Sequence, residues 1–332
     1  MAIRVAVDAM GGDRAPGVVL EGALLALDEA PPGLELQLFG PEAALREALG
    51  DRPLPAAARI VDAPEVIGMA EAPAKALKGK PNSSIHRALA AHKEGHADAF
   101  VTAGNTGAAM AAAFFILGRL PGVARPSLVG FFPTTEGLCF VLDVGSNVDC
   151  RAEHLVQFAQ MGAVYVQRMR KVERPVVALL NIGEEPGKGN ELTKETYDLL
   201  VQQPGLHFRG NVEGRDVMHH AADVIVCDGF VGNVMLKYGE SVATAVMEMV
   251  HQEMDRHELS APQVEAIRRV LGGVRQRFNP ETYGGAPLLG VDGNVVIGHG
   301  SSTPRAIARM ILVGAEAAEQ DLARSIAEAL HA

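Results

Sequence analysis

Long apolar runs and an export signal are missing from the sequence. No stretch has eighteen consecutive apolar residues, and the first twenty residues lack a basic segment followed by an apolar run and a small-residue cleavage site. Membrane-spanning helices and secretory signals need those features. We therefore expect neither, and the sequence predicts a cytoplasmic protein.

Cysteine is scarce and odd in number, with Cys139, Cys150 and Cys227 far apart in the chain. This pattern is typical of reduced thiols and argues against a disulfide framework or a zinc site. Cys139 lies in an apolar run and is predicted to be core. Cys227 stands at a strand end without a nearby histidine, so we do not expect it to be a nucleophile.

Metal-ligand spacings are missing as well. No run of Cys, His and carboxylate residues has the spacing of a metal site, and His219-His220 is more typical of a helix end than of a metal pair. We therefore expect neither a metal nor a cofactor.

Positive charge is in deficit. The chain has 30 Lys and Arg against 40 Asp and Glu, which gives a formal charge of −10. Binding to a phosphate backbone needs clustered basic residues, so an extended nucleic-acid surface is excluded. Any acidic partner has to dock on a local basic patch.

Apolar side chains, by contrast, are plentiful. The 332 residues are 48% hydrophobic and only 21% charged, so the chain can bury a large core and disorder is not expected. We predict a single catalytic α/β domain over residues 1–332, built as one large body or as two closely joined lobes.

Short apolar runs alternate with longer segments of helical period. This alternation is typical of βαβ units around a largely parallel sheet, and runs this apolar predict strands covered on both faces. The predicted strands are residues 3–7, 34–39, 99–102, 128–132, 139–144, 176–182, 224–227 and 295–297.

The predicted helices lie between these strands. They are residues 17–29, 83–94, 106–117, 152–169, 232–256 and a last helix that begins near Pro304. Thr303 can cap that last helix, and its many small residues allow close packing against a sheet or a second subunit. Residues 239–284 are helical, polar and basic, unlike their neighbours, and we predict that they form a projecting helical arm.

Six of the predicted strands end in turns rich in Gly, Asn and Asp. The turns are residues 8–13, 102–107, 143–147, 181–183, 228–233 and 298–302. In an open α/β sheet, ligands bind outside the carboxyl ends of the strands. Glycine lets backbone approach a ligand, and the unpaired N–H groups of a first helical turn favour an anion. Six such turns at one sheet edge predict a phosphate pocket.

An alternative is that these residues only make tight turns, as Gly, Asn and Asp do in many βα loops. That alternative does not explain the polar residues just beyond the glycines at three helix starts. These residues are Thr106, Ser146 with Asn147, and Ser301 with Ser302.

Nucleotide-binding motifs do not fit the same turns. Gly11-Gly12 lacks the G-x-G-x-x-G spacing of a dinucleotide fingerprint, and residues 104–107 supply only a fragment of it. Residues 183–189 have three residues between their glycines, not four, and no Ser or Thr after Lys188, so they are not a P-loop. ATP and NAD are both disfavoured.

Lys188 stands between Gly187 and Gly189 and amid acidic residues, after a predicted strand. It is either a solvated loop lysine or a mobile cationic finger over an anion. Asn233 and Lys237 lie four residues apart at the start of a long helix, so they share one face, which we expect to point at the site.

The candidate site therefore has two parts. The catalytic candidates are Lys188 and Asn233. The candidates for binding substrate or phosphate are Asp8, Gly11, Gly12, Gly104, Asn105, Thr106, Gly107, Ser146, Asn147, Lys237, His299, Ser301 and Ser302.

Taken together, these segments resemble the bacterial phosphate acyltransferases, which form acyl phosphate from acyl-acyl carrier protein ahead of glycerol 3-phosphate acylation. The resemblance covers essentially the whole chain. It rests on residues 7–13, 103–108, 142–147, 181–183 with 188–190, 228–233, 283–286 and 299–302, in the family's order.

The resemblance implies a Rossmann-like α/β/α sandwich related to phosphotransacetylases and isopropylmalate-type dehydrogenases, acting as a homodimer. It also implies acyl-acyl carrier protein and inorganic phosphate as substrates, and a downstream membrane glycerol-3-phosphate acyltransferase as a partner. In that family the residues matching Lys188 and Asn233 are implicated in catalysis, and the arm contacts the membrane.

Within the arm, residues 260–277 have the pattern of a basic amphipathic helix. Ser260 begins a capping-box-like segment, an apolar stripe follows, and Arg268, Arg269 and Arg275 flank that stripe. Such a helix suits an acidic carrier protein or an anionic membrane surface. The alternative is that the stripe packs on a neighbouring helix or a dimer partner. The preceding loop, residues 251–259, is strongly polar and offers little to insert into lipid.

We expect direct attack of inorganic phosphate on the thioester carbonyl, because the phosphate dianion is present near neutral pH and needs no strong general base. Alignment of the two reactants supplies up to about 7–11 kcal/mol, and a cation at the developing oxyanion about 2.7–4 kcal/mol more. Lys188 would orient phosphate or stabilise the oxyanion, and Asn233 would donate a hydrogen bond there.

Two alternative functions remain open from the residues alone. An NAD-dependent decarboxylating dehydrogenase on the same fold requires a divalent-metal site and an adenine-ribose anchor, and the chain shows neither clearly. A non-catalytic acyl- or phosphate-binding protein would bind these ligands without phosphate-dependent release of carrier thiol.

Overall fold

The computed structural model describes residues 2–257 and 259–331. In chain order its strands are β1 (Ile3–Asp8), β2 (Leu34–Gly40), β3 (Ala58–Asp62), β4 (Ala99–Thr102), β5 (Ser127–Leu128), β6 (Gly130–Pro133), β7 (Leu138–Leu142), β8 (Val176–Leu180), β9 (His207–Val212), β10 (Val224–Val226), β11 (Ala286–Leu289) and β12 (Val295–Ile297). Its helices are α1 (Gly17–Glu29), α2 (Glu42–Leu49), α3 (Pro73–Gly79), α4 (Ser84–Lys93), α5 (Thr106–Ala112), α6 (Ala152–Arg170), α7 (Glu191–Val201), α8 (Gly229–Arg256), α9 (Ala261–Phe278), α10 (Pro304–Glu319) and α11 (Leu322–His331).

These strands form two sheets, whereas the alternation of apolar runs and helical segments in the sequence predicts one. Among the described residues, the first sheet has the order β3-β2-β1-β4-β12-β11-β5 and the second has the order β6-β7-β10-β8-β9. The central pairs of both sheets are parallel, whereas β11 and β6 run antiparallel to their neighbours. The predicted mixed α/β class with a largely parallel arrangement is confirmed.

The single strand predicted over residues 128–132 is wrong. The chain changes sheets at Val129, because β5 pairs with β11 in the first sheet while β6 pairs with β7 in the second. Glycine at position 130 permits the change, since a side chain there would collide with Val144. This crossing joins the two sheets directly.

Each sheet is covered on both faces, as the apolar runs predict. In β1, Val5 and Val7 face a core shared with α1 and α10, while Ala6 faces a core shared with α4 and α5. In β7, Leu142 faces α6 and Val141 faces the start of α8. Alternating side chains of a strand point to opposite faces, so two layers of helices bury one strand.

The predicted helices are confirmed to within a few residues at their ends. The Ser83 hydroxyl accepts from the His86 N–H at the start of α4, and the Thr303 hydroxyl accepts from the Ala306 N–H at the start of α10. Small residues let α10 lie close to its neighbours: α1 packs closely at Gly22, where a side chain would meet Ile307. The predicted segment 106–117 begins as α5 and ends in a π-helical turn, Ala113–Leu117.

The two helices of the predicted arm are largely exposed. Among the described residues, α8 buries only Gly229 and Gly232, and α9 buries none. The Ser260 N–H donates to Gln263 Oε1 at 2.8 Å, which completes the expected cap of α9. Within the described part of the chain, no helix is long and apolar enough to cross a membrane.

Candidate active site

The six glycine-rich turns lie in two groups of three. Residues 8–13, 102–107 and 298–302 follow β1, β4 and β12, which are adjacent parallel strands of the first sheet. We call them the first-sheet turns. Residues 143–147, 181–183 (continued by 184–190) and 228–233 follow β7, β8 and β10, which are adjacent parallel strands of the second sheet. We call them the second-sheet turns. The prediction that all six share one sheet edge is therefore wrong, because chain order does not reveal which sheet a strand joins.

A buried carboxyl group holds the first-sheet turns together. Asp8 is 2% exposed, and its Oδ2 accepts from the Thr102 hydroxyl at 2.6 Å. The same hydroxyl accepts from the Gly104 N–H at 2.9 Å. Burial raises the pKa of Asp8, and hydrogen bonds from Ser84 and Thr102 oppose that rise. Because Asp8 lies beneath the turns, we revise its expected role from phosphate contact to bracing.

Glycine is required where the first two turns meet. A side chain at Gly11 would collide with the Asp8 carboxylate and the Gly104 nitrogen, and one at Gly12 would approach the Gly300 carbonyl oxygen at 3.2 Å. Gly12 also has a φ of +119°. The Asp13 N–H donates to that Gly300 oxygen at 2.8 Å. The structure thus brings the turns after β1, β4 and β12 into direct contact.

The Asn105 side chain is fully used within its own surroundings. Its Oδ1 accepts from the Ala108 N–H at 3.0 Å, which caps α5, and its Nδ2 donates to the carbonyl oxygens of Met69 and Glu71 at 3.0 and 2.9 Å. We therefore revise Asn105 from a phosphate ligand to a brace. The neighbouring Thr106 is exposed and Gly107 is partly exposed.

The turn after β12 presents one free pair of polar side chains. The exposed His299 has its Nδ1 2.9 Å from the Ser301 hydroxyl. Ser302 is buried, and its hydroxyl donates to the His299 carbonyl oxygen at 2.5 Å. Ser302 thus closes the turn, while His299 and Ser301 remain candidates for contact with an anion. Arg14 donates to the Ser302 carbonyl oxygen at 3.2 Å and adds a cation that the sequence analysis missed.

A second buried carboxylate holds the turn after β7. Asp143 has no exposed surface. Its Oδ1 accepts from the Ser146 N–H and hydroxyl at 3.2 and 2.7 Å, and its Oδ2 accepts from the Asn147 N–H and amide at 2.6 and 2.9 Å. Asn147 also donates to the Pro126 carbonyl oxygen. Ser146 and Asn147 thus have their donors engaged with Asp143 and the Pro126 carbonyl oxygen, and their expected role in cradling phosphate stays a prediction.

The start of α8 packs closely on the same turn. A side chain at Gly232 would overlap the Asp143 carbonyl oxygen, and one at Gly229 would meet the Asn147 backbone. These glycines let α8 approach until the Asn233 side chain lies beside Gly145, 3.5 Å from the position of an added Cβ. Asn233 is exposed there. The structure therefore brings Asn233 to the turn after β7.

Lys237 stands one helical turn beyond Asn233, also exposed. Its ammonium group pairs with Glu240 Oε2 at 3.0 Å on the same helix. An exposed pair of this kind is weak, so it leaves the ammonium group available to an anion. Lys237 stays a candidate for binding phosphate.

The turn that carries Lys188 makes hydrogen bonds on both sides of that residue. The Lys188 N–H donates to the Glu185 carbonyl oxygen at 3.1 Å, and the Asn181 amide donates to the Lys188 carbonyl oxygen at 3.1 Å. The side chain itself is 51% exposed, with the Glu185 carboxylate 3.9 Å from its ammonium group. Lys188 can therefore reach an anion from a fixed base.

The thiols take no visible part in the site. Cys227 and Cys139 are buried, and burial raises the pKa of each. Burial also raises the pKa of Cys150 to about 12. A protonated thiol is a poor nucleophile. Within residues 2–257 and 259–331, no group of three His, Cys, Asp or Glu residues is arranged to hold a metal ion.

The basic residues of α9 lie apart from these turns. Arg268, Arg269 and Arg275 are all exposed along the helix. The end of α9 returns to the second sheet, where Tyr283 donates to the Arg277 carbonyl oxygen and stacks on Phe131 at 5.9 Å between ring centroids. The three arginines of α9 therefore lie on the protein surface, where they can contact a partner.

Comparison with protein families and curated proteins gives full-length matches. Residues 3–325 match the model of a family described as fatty acid synthesis protein. The chain is 55% identical over 330 residues to a protein of Salinibacter ruber named phosphate acyltransferase, a match that covers 99% of this chain and 98% of that protein. It is 47% identical over 328 residues to a protein of the same name from Desulforamulus reducens, covering 99% and 97%.

Comparison with solved structures supports the fold alone. A phosphotransacetylase from Streptococcus pyogenes matches with a TM-score of 0.61 and 19% identity, covering 96% of this chain and 94% of that one. A 4-hydroxythreonine-4-phosphate dehydrogenase from Klebsiella pneumoniae matches with a TM-score of 0.55 and 13% identity, covering 96% and 98%. The expected relation to the phosphotransacetylase fold is confirmed.

Proposed function

This chain belongs to the fatty acid synthesis protein family whose curated members are named phosphate acyltransferase, and we propose that it transfers the acyl group of acyl-acyl carrier protein to inorganic phosphate. It is an enzyme, an acyltransferase of phospholipid synthesis. Its product, an acyl phosphate, would then acylate glycerol 3-phosphate through a downstream membrane acyltransferase.

The reaction joins two reactants without a covalent enzyme intermediate. An oxygen of the phosphate dianion attacks the thioester carbonyl carbon, and a tetrahedral oxyanion forms. Collapse of that oxyanion breaks the C–S bond, and the departing thiolate takes up a proton to give the carrier thiol. Because phosphate is itself the nucleophile, the enzyme has to align the reactants and stabilise charge.

The observation that carries this assignment is the firmly held turn that exposes Lys188 at the carboxyl end of β8. Lys188 is an exposed cation of the second-sheet turns, and Asn233 lies at the start of α8, just after β10, the strand adjacent to β8. We assign Lys188 to the tetrahedral oxyanion or the phosphate, with Asn233 donating a hydrogen bond to the same region. Lys237 adds positive charge one turn further along α8.

We assign phosphate binding to the first-sheet turns. Gly11, Gly12 and Gly104 let the turns pack closely on one another, while Thr106, Gly107, His299 and Ser301 offer N–H and hydroxyl groups. Arg14 supplies a cation beside Ser301. Asp8, Asn105 and Ser302 support the first-sheet turns from beneath, and Ser146 and Asn147 support the turn after β7, because their side chains are engaged in hydrogen bonds within the protein.

The exposed face of α8 supports a homodimer. Phe230, Val234, Tyr238, Val246 and Met249 are each at least half exposed and recur at helical spacing. A helix with an uncovered apolar stripe of this length buries it in an assembly. We place the partner subunit on this stripe. We also propose that residues 1–332 form a single catalytic domain and that residues 239–284 are its projecting arm.

The basic face of α9 supports peripheral contact with an anionic membrane surface by a cytoplasmic protein. Arg268, Arg269 and Arg275 attract anionic headgroups, and the partly exposed Ile267 and Leu271 lie along the same helix. An acidic carrier protein would meet the same three arginines.

The two other functions are not favoured. The neighbour named as a dehydrogenase shares the fold at 13% identity, and that supports no activity. A test compares release of carrier thiol with and without phosphate, and watches for NADH with NAD and hydroxy acids. We expect thiol release that requires phosphate and no NADH. Binding of acyl-carrier protein without thiol release, or formation of NADH, would contradict the proposal.

A further inference from the structure

Asn211 is a polar side chain in a buried strand position. It lies in β9 opposite Leu179 of β8 and is 6% exposed. Its Nδ2 donates to the Glu185 carbonyl oxygen at 2.9 Å. Its Oδ1 is buried and has no hydrogen-bond partner among the described residues. Burying an unpaired amide oxygen is unfavourable. Packing alone therefore does not explain an asparagine at this position.

The Glu185 carbonyl oxygen is the point at which the Lys188 turn begins. That oxygen also accepts from the Lys188 N–H at 3.1 Å, so Asn211 and Lys188 share one acceptor. A carbonyl held by two donors has a fixed direction. Asn211 therefore sets the orientation of the turn from the neighbouring strand.

A second amide holds the other side of the same turn. The Asn181 amide donates to the Lys188 carbonyl oxygen at 3.1 Å, and the Asn181 N–H donates to the Val212 carbonyl oxygen at 2.8 Å. Gly189 follows with a φ of +92°, where a side chain would collide with Thr193 and Asn181. The backbone on both sides of Lys188 is thus anchored to β8 and β9.

Among the described residues, the Lys188 side chain has no comparable anchor. Its neighbour is the exposed Glu185 carboxylate at 3.9 Å, and an exposed pair at this distance fixes little. The position of the Lys188 ammonium group therefore depends mainly on the position of the Lys188 backbone. Displacement of a catalytic group by about 1 Å lowers a rate by up to about 100-fold.

We propose that Asn211 is a positioning residue that aims Lys188 at the reacting phosphate or thioester by holding the Glu185–Lys188 turn. This inference rests on the proposed role of Lys188. Asn211 touches no substrate in this account and acts only through the turn. Its effect on the rate must disappear when the ammonium group is absent.

A double-mutant cycle tests the inference. Phosphate-dependent release of carrier thiol is measured for the wild type, Asn211→Ala, Lys188→Ala and the double variant, with kcat and the KM for phosphate determined separately. We expect Asn211→Ala to lower kcat by about 10-fold to 100-fold. In the Lys188→Ala background the same change should lower kcat by less than about twofold.

Asn294→Ala is the matched control. The Asn294 amide also donates to a backbone carbonyl, that of Asp98 at 3.0 Å, and its buried Oδ1 likewise has no partner among the described residues. It lies just before β12, at the amino end of that strand, away from the turns. This control should keep wild-type kcat. Asn211→Leu, which keeps a similar size without a donor, replaces Asn211→Ala if the latter does not fold.

Each outcome bears on a separate claim. Equal fractional losses in both Lys188 backgrounds, or wild-type kcat in a folded Asn211 variant, overturn the positioning role and leave the proposed function standing. A wild-type enzyme that releases no thiol in response to phosphate overturns the proposed function and this inference with it. A Lys188→Ala enzyme of wild-type rate overturns the role of Lys188 and the inference that depends on it.

Discussion

The Thr102 hydroxyl donates a 2.6 Å hydrogen bond to the Asp8 carboxylate, across two adjacent strands of the first sheet. The same hydroxyl accepts a hydrogen bond from the Gly104 N–H. It therefore ties the glycine turn after β4 to the buried Asp8 carboxyl group. The turns of the first sheet are thus set by a polar pair that no solvent reaches.

Thr102→Val should destabilise the protein by about 1–3 kcal/mol, because at almost unchanged volume it removes one donor from the buried Asp8 carboxyl group and leaves the Gly104 N–H without its acceptor. The KM for phosphate should rise as well, since the Gly104 turn loses its tie. Thr102→Ser keeps the hydroxyl and is the matched control. Urea unfolding and phosphate titration measure both effects, and equal stability of the Val and Ser variants would contradict the bracing role.

Lys188→Ala should lower kcat by about 100-fold or more, which is the usual cost of removing one group that stabilises an oxyanion. The exposed Lys194, on α7 shortly after the turn, offers a matched Lys→Ala control that should keep its activity. Steady-state thiol release at saturating phosphate measures both. A folded Lys188→Ala enzyme with near-wild-type kcat would remove Lys188 from the mechanism.

His92 should make folding stability depend on pH. Its Nδ1 lies 2.9 Å from the Ala97 carbonyl oxygen, and its Nε2 accepts from the Asn294 N–H at 3.0 Å, so the neutral ring fits the site. Burial lowers the pKa of His92, although the Ala97 carbonyl opposes this. Below the unfolded pKa of 6.5 the unfolded chain gains a proton that the folded chain resists, so stability falls as pH falls.

The measurement for His92 is urea unfolding between about pH 7.5 and pH 5. His92→Gln removes the titration, so its deficit relative to the wild type should shrink toward low pH, by at most about 1.4 kcal/mol per pH unit. A deficit that stays constant across this range would show that His92 does not carry the dependence.

Val246→Glu should convert a dimer into monomers of 35.0 kDa, because it places a charge in the apolar stripe of α8. Thr244→Glu adds the same charge on another face of that helix and should leave the dimer intact. Light scattering after gel filtration gives the molar mass of each. A wild type that is already monomeric, or two variants of equal mass, would exclude this interface.

Much of the fold could be predicted because the central strands are apolar on both faces. Strands such as β7 and β10 carry unbroken apolar runs, and the turns after them carry glycine. The strands β3 and β9 were missed because they are polar or partly exposed, with Arg59 in one and Arg209 in the other. The pattern of apolar residues in a sequence indicates which strands are buried. An edge strand is buried too little to have a clear apolar pattern.

The candidate site could be predicted as a set of turns, but not as an arrangement. Lys188 and Asn233 were selected because each stands beside glycines after an apolar run. Asn211 was missed because it lies in the polar strand β9, and its contact with Glu185 joins residues 26 positions apart. The hydrogen bonds from Ser146 and Asn147 to Asp143 could not be predicted, because nothing in the local sequence shows that this carboxylate takes up their donors.

Phosphate itself is the proposed nucleophile that attacks the thioester, and single-turnover release of carrier thiol tests this attack. The enzyme, in excess over acyl-acyl carrier protein, is mixed first without phosphate and then with it. We expect no thiol before phosphate is added, and afterwards one acyl phosphate for each thiol released. Release of carrier thiol in the absence of phosphate, in an amount equal to the enzyme or to the carrier, would show that another nucleophile attacks the thioester. That result would contradict the proposed mechanism.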